Sequence, residues 1–267
     1  MLSLVRINIA FALCLALLAS PSLAHGDDLE LAKKSQNPIG DLISLPMENN
    51  LQIGAGSKDA FVYDLTLKPI YPTELHEKVT LINRGIFSLI HQGERRPREG
   101  KETGFGDINY QGFISPHVGP VIWGVGPSLF IPTASDDRLG SGKWSLGPTA
   151  IVVAKPGGWL FGALAQHVWS IGGKSNRNSV NVSSLQYFVN YNFAAGFYFT
   201  SNPTITADWD ANSRSRWTLP FGGGLGKLFR IGGQPLDVRA RAFYNAVKPD
   251  GVAPWRVQLE FKLLFPK

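Results

Sequence analysis

The chain has 267 residues, enough for one barrel or large domain, or for two small domains. Charged residues make up only 17%, below the roughly 25% usual for a soluble domain. The 29 Gly, 16 Phe, 7 Trp and 7 Tyr suit β-structure with tight turns. The formal charge of +6 is dispersed and interleaved with acids, as in Glu94-Arg95-Arg96-Pro97-Arg98-Glu99, so no basic stripe marks a nucleic-acid partner.

Residues 1–24 read as a cleaved signal peptide. Arg6 supplies the positive region, Ile7 to Leu18 the apolar run and Ser22-Leu23-Ala24 the small cleavage residues. That run is too short to span a bilayer as a helix, which disfavours the rival signal-anchor reading. Cys14, the only cysteine, lies inside it, so the mature chain is expected to hold no thiol, disulfide or thiolate metal site. No cofactor is expected.

Residues 25–47 form an N-terminal periplasmic or plug segment, with one or two turns of helix over 27–36 ended by Pro38. Its apolar Leu42, Ile43 and Leu45 need cover, which a barrel interior could provide; a flexible periplasmic tail is the competing reading.

From about Glu48 to the end the pattern has period two, the signature of strands with two unlike faces. In the last run Trp255, Val257, Leu259, Phe261, Leu263 and Phe265 alternate with Arg256, Gln258, Glu260 and Lys262, over a length that matches one tilted bilayer crossing. Runs around 108–114, 185–193, 197–209 and 236–245 repeat the pattern, with Phe188 an exception. Less regular strands are expected near 48–56, 61–71, 79–90, 121–132, 146–155, 159–171 and 216–229. The adjacent polar pair Asn83-Arg84 suggests a bulge or a misplaced register. Twelve strands result, with short turns at one end and mostly longer loops at the other.

Trp169, Trp209, Trp217 and Trp255 fall at the outer strand ends, with Trp144 just before one. Tyr71, Trp159, Phe193, Phe197, Phe229 and Phe265 fall at the inner ends. Two aromatic belts are expected of a membrane barrel and not of a secreted β-sandwich. The expected fold is therefore an all-β, transmembrane antiparallel β-barrel over residues 48–267, in the bacterial outer membrane. Its partners would be outer-membrane lipid and the barrel-assembly machinery, with the oligomeric state open. An open sheet edge in hydrocarbon would leave peptide groups unpaired at several kcal/mol each, so the last strand must close on the first.

The inward polar set supplies candidates for a solute path: Asp64, Lys68, Asp107, Asn109, Gln111, Gln186 and Asn190, then Asn202, Arg239, Arg241, Arg256, Glu260 and Lys262. A sealed lumen, with Arg239 or Arg241 paired to Glu260 across adjacent strands, needs the same alternation. Phe221-Gly-Gly-Gly-Leu-Gly226 lacks the strand-to-helix context of a phosphate loop, and small residues there leave room for a plug or a bend. Asp136 and Asp137 are too few oxygens for calcium. The five histidines form no close metal-binding pair. His167 with Ser170 invites comparison with the outer-membrane phospholipase, but the spacing differs, and no catalytic residue or enzyme activity is expected.

Several stretches together resemble a bacterial outer-membrane family named after the meta-pathway of phenol degradation and labelled a transporter family. They are Gln36-Asn-Pro-Ile39 with Leu42-Ile-Ser44, Gly106-Asp-Ile108, Gly124 to Trp144, Phe188-Val-Asn-Tyr-Asn192, Trp217 to Gly224 and Leu264-Phe-Pro-Lys267. They span nearly the whole mature chain, although the chain ends in Pro266-Lys267 instead of a terminal aromatic. The resemblance implies a barrel that passively admits a small organic solute, with aromatic compounds among the candidates. A structural or adhesin-like barrel and a barrel lipid hydrolase are the alternatives.

Overall fold

The computed structural model describes residues 26–116 and 118–266. The expected signal peptide lies outside the described residues.

One helix, α1 (Gly26–Gln36), comes first, with Lys33 and Lys34 in its last turn, where cations suit the helix dipole. Pro38 disfavours helical geometry at Asn37, and the Asn37 side chain accepts the Ile39 amide at 3.1 Å, so the chain turns there.

Fifteen strands follow: β1 (Ile43–Ala55), β2 (Ala60–Leu67), β3 (Ile70–His76), β4 (Val79–Gln92), β5 (Glu102–Phe105), β6 (Ile108–Pro116), β7 (Ile122–Ile131) and β8 (Lys143–Ala154). Then come β9 (Trp159–Gly173), β10 (Asn181–Asn192), β11 (Phe197–Ser201), β12 (Thr204–Asp208), β13 (Trp217–Ile231), β14 (Gln234–Val247) and β15 (Trp255–Phe265). They make twelve crossings, because β2 with β3, β5 with β6, and β11 with β12 are single passes interrupted in the middle. Two of the interruptions fall at Pro69 and Pro203, which have no amide hydrogen to give the ladder.

Every crossing pairs antiparallel with its sequence neighbours, and β15 closes on β1 from Ile43 opposite Phe265 to Ile53 opposite Trp255. Closure leaves no free edge, as the cost of bare peptide groups in hydrocarbon requires. The expected twelve-stranded transmembrane antiparallel barrel is present, with several strands longer than their periodicity indicated. β1 starts at Ile43 and not near 48, and β3 runs to His76 before a turn at 77–78. Trp144, expected just before a strand, lies within β8. No register shift occurs at Asn83-Arg84, which correctly alternate: Arg84 points inward, while Asn83 points outward and accepts the Tyr110 hydroxyl at 2.8 Å. An outward polar side chain is tolerable there because neighbouring groups satisfy it.

The molecule is apolar outside and polar inside, the reverse of a soluble protein. Phe105, Ile114, Phe221, Leu225 and Trp169 stand exposed on the outer face, whereas Glu48, Arg84, Asp237, Arg239, Arg241, Glu260 and Lys262 are buried. So much continuous exposed apolar surface would aggregate in water and is stable facing lipid. Aromatic pairs cluster at both rims: Trp209–Trp217 and Tyr244–Trp255 at the outer ends, Trp159–Tyr191 and Tyr191–Phe193 at the inner ends.

Gly222, Gly224 and Gly226 all face the lumen on β13. A Cβ on Gly226 would meet the Tyr198 ring at 2.2 Å, so this glycine makes room for a buried tyrosine. Gly226→Ala is expected to cost about 1–3 kcal/mol through overpacking. A lowered urea midpoint for folding into lipid vesicles would show it, and an unchanged midpoint would count against that packing.

Candidate functional site

The lumen is built from inward-facing alternate residues, and its two walls differ. The wall of β14, β15, β1, β2 and β4 carries the charges. The wall of β7 to β13 offers Ser128, Thr149, Gln166, Gln186, Asn190 and Thr200.

On the charged wall, Glu260 sits directly opposite Arg239 on β14 and Glu48 on β1. Two buried carboxylates side by side would repel, so cations surround them. Arg241 Nη2 donates to Glu260 Oε2, Arg239 Nη1 lies 3.7 Å and Lys262 Nζ 3.9 Å from Oε1, and Lys68 Nζ donates to Glu48 at 2.6 Å. Gln258 bridges Glu48 at 2.9 Å and Asn50 at 2.7 Å. Arg239 also donates to Asp237 and to the Tyr198 hydroxyl, both at 2.6 Å, while the Tyr198 hydroxyl donates to Asp237.

This network holds the N-terminal segment. The Ser35 hydroxyl donates to Asp237, and Lys262 Nζ donates to the Ser35 carbonyl at 2.6 Å. Gln36 and Asn192 exchange amide hydrogen bonds of 2.7 and 3.2 Å. Apolar packing completes the attachment. Leu31, Ala32 and Leu42 cluster with Leu228 and Leu264, and Ile39 enters a cluster of Ile70, Ile82, Phe113, Ile151, Val153, Leu160, Leu164 and Phe188. Phe188, the exception to the polar alternation of its strand, is thus an inward apolar residue beside Ile39. Residues 31–42 therefore fill the inner mouth.

Between plug and walls lies a cavity of about 50 Å³ lined by Gln36, Pro38, Lys68, Arg84, Gln186, Phe188, Asn190, Asn202, Arg239, Glu260 and Lys262, among others. Above it, a space of about 300 Å³ opens towards the outer loops, lined by Gln52, Asp64, Gln92, Arg95 and Arg138. Asn109 and Gln111 are inward but engaged along the wall: Asn109 with Ser128 at 3.0 Å, Gln111 with Arg84 at 3.0 Å and Gln166 at 2.7 Å. The Arg256 guanidinium lies 4.9 Å from the Phe243 ring centre.

Asp107 differs from the rest of the expected set. It occupies the β5–β6 interruption and accepts the Ala134 amide at 3.2 Å, the Ser141 amide at 2.7 Å and the Ser141 hydroxyl at 2.8 Å, fastening the outer loop 132–142. A break in the strand ended the alternation one residue early. In that loop Asp136 is held below the usual carboxylate range by its hydrogen bonds from Arg138, and Asp137 by Lys174. Both carboxylates thus already have cationic partners.

The candidate set left out Glu48, Tyr198, Asp237 and Ser35, although period two had already turned Tyr198 and Asp237 to the polar side of their strands. Asp237 was recognisable by its alternation with Leu236 and Val238; Glu48 stood at the assumed edge of the strand, and Ser35 joins the site only through the plug. His167 and Ser170 point to opposite faces. His167 Nδ1 instead lies 2.7 Å from Ser183 Oγ on the outer surface, and Ser183 Oγ also accepts Trp209 Nε1–H at 2.8 Å. Ser170 Oγ accepts the Val180 amide.

A closed antiparallel barrel with an apolar exterior, two aromatic girdles and a polar, plugged lumen defines a transmembrane β-barrel of the outer-membrane class. Residues 57–250 match the family described as "Putative MetA-pathway of phenol degradation", and the chain belongs to that family. Among solved structures it is similar to an outer membrane channel from Pseudomonas putida F1, with 16% identity over 91% of this chain and 100% of that one, at a TM-score of 0.66. That similarity shows a shared fold. The CymD monoaromatic hydrocarbon channel (11% identity, 91% and 93% covered, TM-score 0.43) and a porin (9%, 83% and 98%, TM-score 0.38) are more remote. No curated protein matches.

Proposed function

We propose that this protein is a passive outer-membrane channel for a small organic, aromatic solute. The observation that carries the reading is the lumen: a polar interior with space above the N-terminal segment, in a barrel whose outer face suits lipid. Family membership and the names of the similar structures, an outer membrane channel and a monoaromatic hydrocarbon channel, support it. Solute moves down its gradient without a cofactor or covalent step. It passes the outer loops, the 300 Å³ space with Asp64, and the charged constriction at Lys68, Arg239, Glu260 and Lys262. Asn109, Gln111, Gln186, Asn190, Asn202, Arg241 and Arg256 line or support that route, and Asp107 shapes its entrance through the loop it fastens. Export by a cleaved signal over residues 1–24 and insertion by the barrel-assembly machinery belong to the same proposal.

The purified protein is expected to pass ionic current in planar bilayers, in small openings while residues 26–41 are in place. A barrel that stays silent both intact and without those residues is sealed, and the reading is then wrong.

A further inference from the structure

Four buried cations, Arg84, Arg239, Arg241 and Lys262, and the half-buried Lys68 face three buried carboxylates, Glu48, Asp237 and Glu260, in and beside the central constriction. Four of the cations lie within 4 Å of a carboxylate oxygen. Of these five, Arg84 alone makes no such ion pair: its hydrogen bond goes to the neutral Gln111, and its Nε has no partner, as holds also for the Nε of Arg256, which stands over the Phe243 ring. Arg84 feels the Glu48 and Glu260 carboxylates only at a distance and touches neither, and a buried guanidinium without a contact ion pair keeps part of a desolvation cost of several kcal/mol until an anion reaches it. Arg84 lines the same cavity as Ile70 and Phe188, which belong to the apolar cluster.

From this juxtaposition we infer that the constriction is a binding station for a small aromatic carboxylate. The anionic head pairs with Arg84, with Lys68 and Lys262 close by, and the ring lies against Phe188 and Ile70. The cavity, about 50 Å³, takes a carboxylate but not a ring, so the ring enters as Pro38 of the plug gives way. The planar guanidinium fork matches a carboxylate better than an ammonium does, which selects carboxylates over halide ions. The inference rests on the channel reading and adds the charge and shape of the solute to it.

The test uses the full mature chain in planar bilayers, with benzoate and the uncharged benzyl alcohol as probes. Benzoate is expected to interrupt the chloride current at concentrations where benzyl alcohol has no effect. Arg84→Gln should raise the half-blocking concentration by about tenfold or more, the scale of a lost charge-assisted hydrogen bond. Arg84→Lys, which keeps the charge and loses the fork, should fall between the two. It also serves as the reading if Arg84→Gln fails to fold, as judged by loss of the heat-modifiable band on a gel. Equal block by both probes, or a block unchanged in the variants, overturns the station while leaving the channel standing. A protein that conducts nothing in any form overturns both.

Discussion

Replacing Glu260 with Gln is expected to destabilise the folded barrel by about 3–5 kcal/mol, the scale for removing one partner of a buried ion pair. The carboxylate is almost fully enclosed and accepts from Arg241, with Arg239 and Lys262 beside it. Gln keeps the shape and removes the charge, so three cations would lose their shared counter-ion. Glu48, on the neighbouring strand, would become the nearest remaining carboxylate on β1. The measurement is the urea midpoint for folding into lipid vesicles, with Gln258→Ala as a comparison that removes a polar contact and no charge. A Glu260→Gln midpoint close to that of the wild type would mean that water in the lumen screens these charges far more than their enclosure indicates.

Removing residues 26–41 is expected to raise single-channel conductance severalfold while leaving the barrel folded. The deletion leaves β1 intact from Ile43, so the closing ladder to β15 is untouched. It takes away Ser35 and Gln36, which bond the wall, and Ile39, which fills the apolar cluster. The inner mouth would then be bounded by the walls alone. Asp237 would lose one donor and keep Tyr198 and Arg239, so the charged wall should hold. Conductance equal to the intact protein's would show that the path does not run past this segment.

Much of the barrel was legible because a membrane strand must satisfy two solvents at once. Lipid on one side and a polar lumen on the other impose a period of two, and the run from Trp255 to Phe265 carries it without interruption. Departures from the pattern collect where a third influence enters. Phe188 breaks the alternation because it packs on the plug's Ile39, and Asp107 changes role because the strand breaks beside it. Asn83 is polar on the lipid side because Tyr110 satisfies it.

The candidate site divides in the same way. Period two was enough to turn Lys68, Arg239, Arg241, Glu260 and Lys262 towards the lumen, since inward or outward is decided within each strand. Which charges pair depends on register between strands, and register comes from closure of the whole ring, as in Glu48 opposite Glu260. The placement of Ser35 against Asp237, more than two hundred residues apart in the chain, depends on the segment folding back into the finished barrel. Local alternation follows from side-chain chemistry and is therefore written in the chain residue by residue. The contact of Ser35 with Asp237, the constriction and the position of Arg84 beside it exist only once twelve crossings have closed around the N-terminal segment, because their partners come from remote parts of the sequence that only the closed ring brings together.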